Sequence, residues 1–195
     1  MNYLSIIHKY YPEDNELRRL LLRHSRQVAD RALKIVESHP EWNIDREFLE
    51  AAAMLHDIGI VRCDAPGIHC YGTEPYIRHG MMGAEMLRQC STFNVQCSTF
   101  EAFARVCERH TGAGITREEI KRQGLPLPLD RDFMPETLEE QIICYADKFY
   151  SKSSPDREKN IEQAANSLRK FGEEGVTRFM EWATRFELNS PTHRS

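Results

Sequence analysis

The segment DNELRRLLLRHSRQVADRALKIVESH, Asp14 to His39, constrains this chain most. Leu17, Leu20, Leu21, Val28, Ala32 and Ile35 recur at the spacing that puts side chains on one face of an α-helix. His24 falls inside that apolar stripe. Other helix starts are marked by their capping chemistry. Asp45 is suited to cap a helix running to about His56. STFE (Ser98–Glu101), TREE (Thr116–Glu119) and TLEE (Thr137–Glu140) read as capping boxes. Ser154 before Pro155 reads as an N-cap with proline in the first helical position. Strand signals are nearly absent. These marks predict seven or eight helices and an all-α fold, with two irregular stretches, VRCDAPGIHCYGTEP (61–75) and GLPLPLDRDFMP (124–135). Loops of that length inside a compact domain are often lids or binding loops.

The chain has 195 residues, which fits one domain with a core large enough to need no covalent staples. Lys and Arg total 26 against 30 Asp and Glu, a net charge of −4. That balance argues against a nucleic-acid or acidic-membrane surface, so a phosphorylated substrate would need local Lys or Arg. The six cysteines are scattered without a CxxC, which fits reduced thiols rather than a zinc knuckle or a disulfide framework. No apolar run approaches the ~18 residues of a membrane span, and the N-terminus lacks the basic start of a signal peptide. A cytoplasmic protein is expected.

The polar residues that share apolar stripes carry the functional signal. In AAAMLHDIGI, Ala51 to Ile60, His56 aligns with Leu49, Ala52 and Ala53, and Asp57 stands beside it. His79 aligns with Met82, Gly83 and Met86, His110 with Phe103 and Cys107, and Asp147 follows Ile143 by four residues. One inward histidine is ordinarily a core residue donating to a backbone carbonyl. Four histidines and two aspartates from separate helices are harder to bury, since each unsatisfied polar group costs ~1–3 kcal/mol. A metal centre removes the difficulty by turning them into ligands, and helix bundles build such centres from facing helices.

At these residues the chain resembles the HD-domain superfamily of metal-dependent phosphohydrolases, in particular small HDIG-type proteins. His24, the His56–Asp57 pair and Asp147 match its pattern in order and spacing. The segment ERHTGAGITREEIKRQGLPLPLDRDFMPETLEEQIICYADK (108–148) is similar to a poorly characterised group of such proteins. The resemblance spans about Leu20 to Ser151. It implies an HD-domain helical bundle, one domain over 1–195, with a C-terminal helical extension at 154–188. In several relatives two further histidines complete a binuclear site, and His79 and His110 occupy those places. One departure is that many members cleaving cyclic dinucleotides continue the motif with lysine, whereas this chain has Ile60, with Arg62 two residues later.

The resemblance implies divalent transition metal, two ions of iron, manganese or zinc, a choice that imidazole and carboxylate ligands favour. Asp57 is the natural bridge between them, and a metal-activated hydroxide would attack phosphorus. Asp57, Lys148 and Arg62 are the candidate catalytic residues. Arg78, Arg109 and Arg131 are candidate substrate-phosphate contacts, Arg131 as part of a pocket wall formed by residues 124–135. The function these residues imply is hydrolysis of a phosphomonoester or phosphodiester, a nucleotide being the favoured substrate. The alternatives are a di-iron oxygenase similar to inositol oxygenase, and a non-catalytic metal-binding regulatory module.

Overall fold

The computed structural model describes residues 2–90, 97–154 and 156–188. Helix α1 (Tyr3–Tyr10) leads to the long α2 (Glu16–Glu37) and to α3 (Arg46–Leu55). A 3-10 turn, Ile58–Arg62, then enters three short strands, β1 (Cys63–Ala65), β2 (Cys70–Tyr71) and β3 (Glu74–Pro75). The chain continues through α4 (His79–Arg88), α5 (Cys97–Arg109), α6 (Arg117–Gln123), α7 (Leu138–Asp147), α8 (Ile161–Leu168) and α9 (Glu173–Ala183). The fold is all-α, as its periodicity predicts. Nine α-helices are present among the described residues, against the seven or eight expected.

Most starts follow their caps. Asn15 accepts from the Arg18 N–H and Asp45 from the Phe48 N–H. Thr116 and Glu119 form a complete capping box. At α7 only half the box forms: Thr137 accepts from the Glu140 N–H, but the Glu140 carboxylate accepts from the Glu136 N–H and pairs with Arg109. Helix α5 is already under way at Cys97, one residue before Ser98, and the residues that precede it lie outside those described. The start expected at Ser154 is wrong. Ser154 N–H instead donates to the Ser151 carbonyl, closing a tight turn, and Pro155 lies outside the described residues. The helix begins at Ile161, where Asn160 and Gln163 make a capping box.

The first irregular stretch is more ordered than expected. It folds into a three-stranded sheet of order β2-β1-β3, β1 running antiparallel to β2 and parallel to β3. The second packs Leu125 and Leu127 on a satellite cluster of Met81, Met82, Ile115, Ile120 and Phe133.

The main core gathers the inner face of α2 (Leu21, Val28, Ala29, Ala32) with Leu49, Leu55, Phe103 and Ile143. The C-terminal helices join the same core: Tyr145 stacks on Phe179 at 4.8 Å and meets Phe186 edge-on at 5.4 Å. Five cysteines (63, 70, 90, 107 and 144) are buried free thiols. No described helix is long and apolar enough to cross a membrane.

Candidate metal centre

Helix α3 ends at His56, and Asp57 takes φ −103°, ψ 9°, a turn conformation that swings the chain into the 3-10 segment. Gly59 then lies directly on α4. A Cβ there would stand 2.1 Å from the His79 carbonyl oxygen and 2.3 Å from the Gly83 nitrogen. Gly80 allows the same intimacy on the other face of α4, where a Cβ would meet the Cys107 carbonyl at 2.4 Å. These two missing methyl groups bring the HD turn, the start of α4 and the end of α5 within reach of one another.

His24 from α2, His56 and Asp57 after α3, and Asp147 at the end of α7 converge into one group of potential ligands. Asp57, His79 and His110 form a second. Asp57 divides its oxygens between them. Oδ2 is 3.1 Å from both His24 Nε2 and His56 Nε2, and Oδ1 is 3.4 Å from His79 Nε2 and 3.5 Å from His110 Nε2. Asp147 Oδ1 adds a hydrogen bond from His24 Nε2 at 2.9 Å. All six side chains are buried.

Three rings are oriented by one device. His56, His79 and His110 each direct Nδ1 at the carbonyl three residues back, those of Ala53, Tyr76 and Cys107, at 2.6–2.7 Å. A carbonyl only accepts, so Nδ1 carries the proton and Nε2 presents its lone pair inward. The His79 and His110 Nε2 atoms consequently face each other at 2.9 Å. Two opposed lone pairs repel unless a cation or a proton lies between them. His56 Nε2 and both Asp57 oxygens lack a partner in hydrogen-bond geometry, although the Lys152 ammonium approaches Asp57 Oδ2 to 2.5 Å. The donor set therefore fits divalent metal.

Nearby charges act on the rings in opposite directions. Burial disfavours protonated His56, but Asp57 and Asp147 outweigh it and raise its pKa to about 9, so a metal ligated by Nε2 would have to displace a proton from it. Burial, with His110 adding to it, drops His79 to about 3. Burial opposes ionised Asp57 too, yet Lys152 and the surrounding imidazoles keep it well below the usual carboxylate range. Asp147 is held down likewise against its burial, chiefly by Lys148 and His24.

A cavity of about 520 Å³ opens onto this centre, with His79, His110 and Asp147 in its wall. Lys148 also lines it, its ammonium 2.5 Å from Asp147 Oδ2 and donating to the His110 carbonyl at 3.1 Å. The four arginines singled out from sequence lie elsewhere: Arg62, Arg78, Arg109 and Arg131 contribute nothing to this wall. Arg78 pairs with Glu74 at 2.5 Å, Arg109 with Glu136 and Glu140 at 2.9 and 3.0 Å, and Arg131 with Glu108 and Asp130. The guanidinium groups of Arg78, Arg109 and Arg131 are thus committed to carboxylates outside the cavity. Residues 124–135 are not part of the wall either; Leu125 and Leu127 are committed to the satellite cluster, and Leu129 is exposed. The first irregular stretch takes that place through Pro66 and Ile68.

Lys152 and Tyr76 were not legible as site residues. Lys152 follows the end of α7, where periodicity no longer directs a side chain, and only the turn at 151–154 aims it at Asp57. Tyr76 stacks on His79 with centroids 4.7 Å apart.

An all-α bundle in which two groups of potential ligands share one buried carboxylate is a helical protein with a candidate metal centre. The chain belongs to the HD-domain family, whose model matches residues 21–151. Over 89% of its length it is 32% identical to the tRNA (cytidine(56)-2'-O)-methyltransferase of Picrophilus torridus, covering 49% of that protein. The protein of the same name from Thermoplasma volcanium is 30% identical over 87% of this chain and 40% of its own length. The chain thus spans about half the length of the methyltransferases it matches or less. An uncharacterized protein of Methanocaldococcus jannaschii is 35% identical over 65% of this chain and 64% of its own. Among solved structures, the HD domain of the L. monocytogenes phosphodiesterase PgpH, crystallised with cyclic-di-AMP, shares the fold. The TM-score is 0.50 at 14% identity, over 100% of this chain and 99% of that one.

Proposed function

We propose that this chain is a metal-dependent phosphohydrolase that cleaves a phosphomonoester or phosphodiester bond of a nucleotide. The observation that carries the reading is Asp57, whose two oxygens serve separate histidine groups beside a lysine-lined cavity. His24, His56, Asp57 and Asp147 would hold one divalent ion, and Asp57, His79 and His110 a second. When bound, such ions lower the pKa of water and neutralise charge on phosphoryl oxygens.

The remaining work falls to the chain's own side chains. The carbonyls of Ala53, Tyr76 and Cys107 lock three imidazoles in the ligating tautomer, so little reorganisation accompanies loading. Lys148 and Lys152, held at the ligands by Asp147 and Asp57, place positive charge where a phosphoryl group enters. Lys148 Nζ is the group positioned to give a proton to the leaving oxygen. Tyr76, against His79, covers one side of the centre.

The test is elemental analysis of the purified protein with a panel of phosphomonoesters and phosphodiesters, with and without chelator. Metal-dependent release of phosphate or nucleotide supports the reading. Oxygen uptake by iron-loaded protein without phosphate release would move it to the di-iron oxygenases. A second reading rests on the 32% identity to a tRNA methyltransferase. The chain would then be a tRNA-associated module. Binding to transcribed tRNA, without turnover of any small phosphate ester, would favour it.

A further inference from the structure

Besides Lys148 and Lys152, the cavity is lined by two more lysines, Lys159 and Lys170, that form no ion pair with a ligand aspartate. Lys159 is half-buried, and its ammonium donates to the Lys148 carbonyl at 3.2 Å, which leaves two N–H groups to spare. Lys170 is exposed in the 3-10 turn Arg169–Phe171 that follows α8, its ammonium 4.9 Å from the Phe171 ring centroid. Among the described residues neither has a carboxylate within ion-pair distance. The carboxylates next in sequence are committed elsewhere, Glu158 to Arg31 at 2.6 Å and Glu173 to Arg169 at 2.8 Å. Burial lowers the Lys159 pKa; Asp147 offsets part of this, while Lys148, Lys170 and Lys152 push it down further. Four cations thus line one cavity whose only carboxylate among the lining residues is Asp147, which a ligand group already uses. The uncompensated half lies on the Lys159 and Lys170 side.

We propose that Lys159 and Lys170 form a second anion subsite, and that the molecule cleaved here carries a further phosphate group beside the one at the metal ligands. The proposal deepens the hydrolase reading and rests on it for the first phosphate. Pro66, Ile68, Leu168 and Phe171 give the same cavity an apolar lining. A nucleotide bearing two phosphates, adjacent as in a nucleoside diphosphate or separated as in a nucleoside bisphosphate, has the matching chemistry. A simple monoester leaves the distal lysines unanswered.

Non-hydrolysable probes separate binding from turnover. Methylphosphonate carries one phosphonate; methylene-, ethylene- and propylene-diphosphonate carry two at increasing distance. Calorimetric titration of metal-loaded protein should show at least one diphosphonate binding about tenfold tighter than methylphosphonate, a difference of ~1.4 kcal/mol. The linker that binds best distinguishes adjacent from separated phosphates. In a Lys159→Ala, Lys170→Ala double variant the preference should fall below about twofold, while methylphosphonate affinity stays constant. The Lys159→Arg, Lys170→Arg variant keeps the charge and should retain the preference, which guards against misfolding of the alanine variant. Equal binding of one and two phosphonates in native protein would overturn the proposal. So would a preference that survives the alanine pair, since chelation of metal by diphosphonate would then explain it. Failure of the hydrolase reading looks different: no ester in the panel is turned over, whatever the phosphonates do.

Discussion

His79 and His110 point their Nε2 atoms at each other across 2.9 Å, each with Nδ1 bonded to a backbone carbonyl. The arrangement is stable only with positive charge between the rings. It is where, on the proposed reading, a second ion would be held together with Asp57. Native protein reconstituted with excess metal should contain two ions per chain by elemental analysis, and a His79→Ala, His110→Ala double variant one. A single ion in both would leave His24, His56, Asp57 and Asp147 as a mononuclear site.

Chelation should lower thermal stability and abolish hydrolysis together. Ligand binding to the native state alone adds about 2.7 kcal/mol at a free concentration one hundred times Kd. Asp57→Asn keeps the shape of the side chain but removes the charge that both histidine groups share. It should lose hydrolysis and most of the metal-dependent rise in Tm while its circular dichroism stays helical. Native-rate turnover by this variant, or by chelated protein, would sink the hydrolase reading.

Gly59 should tolerate no side chain. With a Cβ 2.1 Å from the His79 carbonyl oxygen, Gly59→Ala must push the HD turn away from α4. Overpacking of a close backbone contact costs about 1–3 kcal/mol or more. Urea denaturation should show a lower midpoint with an unchanged slope, and metal content should fall because His79 and Asp57 part. Gly67→Ala is the control, since a Cβ there meets nothing within 4 Å.

Arg131 should be dispensable for substrate. It is about half exposed and pairs with Glu108 and Asp130, the kind of surface pair worth ~0–1 kcal/mol. Arg131→Ala should leave KM unchanged for any substrate turned over, and Arg109→Ala likewise. Lys148→Ala should lower kcat at least tenfold. A raised KM in the Arg131 variant would mean that residues 124–135 close over the cavity when substrate binds.

The long amphipathic stripe of α2 and the caps at Asp45 and Thr116 made the helices legible, because both are local chemistry. The metal ligands were legible for a related reason. A histidine on an apolar stripe must point inward, and four such histidines with two aspartates leave few ways to satisfy them. The same kind of reasoning did not anticipate that the arginines would lie off the cavity wall. Proximity in sequence to a ligand gave Arg62, Arg78 and Arg109 a role, yet a surface guanidinium is placed by whichever carboxylate the fold brings near it. For Arg109 that is Glu140, thirty-one residues away.

The sequence by itself determined that the chain is helical, that six titratable groups face inward, and that their order is that of the HD-domain family. Periodicity and capping act over a few residues, so they survive without knowledge of the fold. Only the tertiary structure decided that Asp57 shares its two oxygens between histidine groups and that Gly59 and Gly80 make this approach possible. It alone brought Lys152, Lys159 and Lys170 to the cavity in place of the arginines. Those positions depend on how α4 lies against the HD turn and how the segment after α7 folds back. Such distances arise from packing between elements far apart in the chain, which no local spacing encodes.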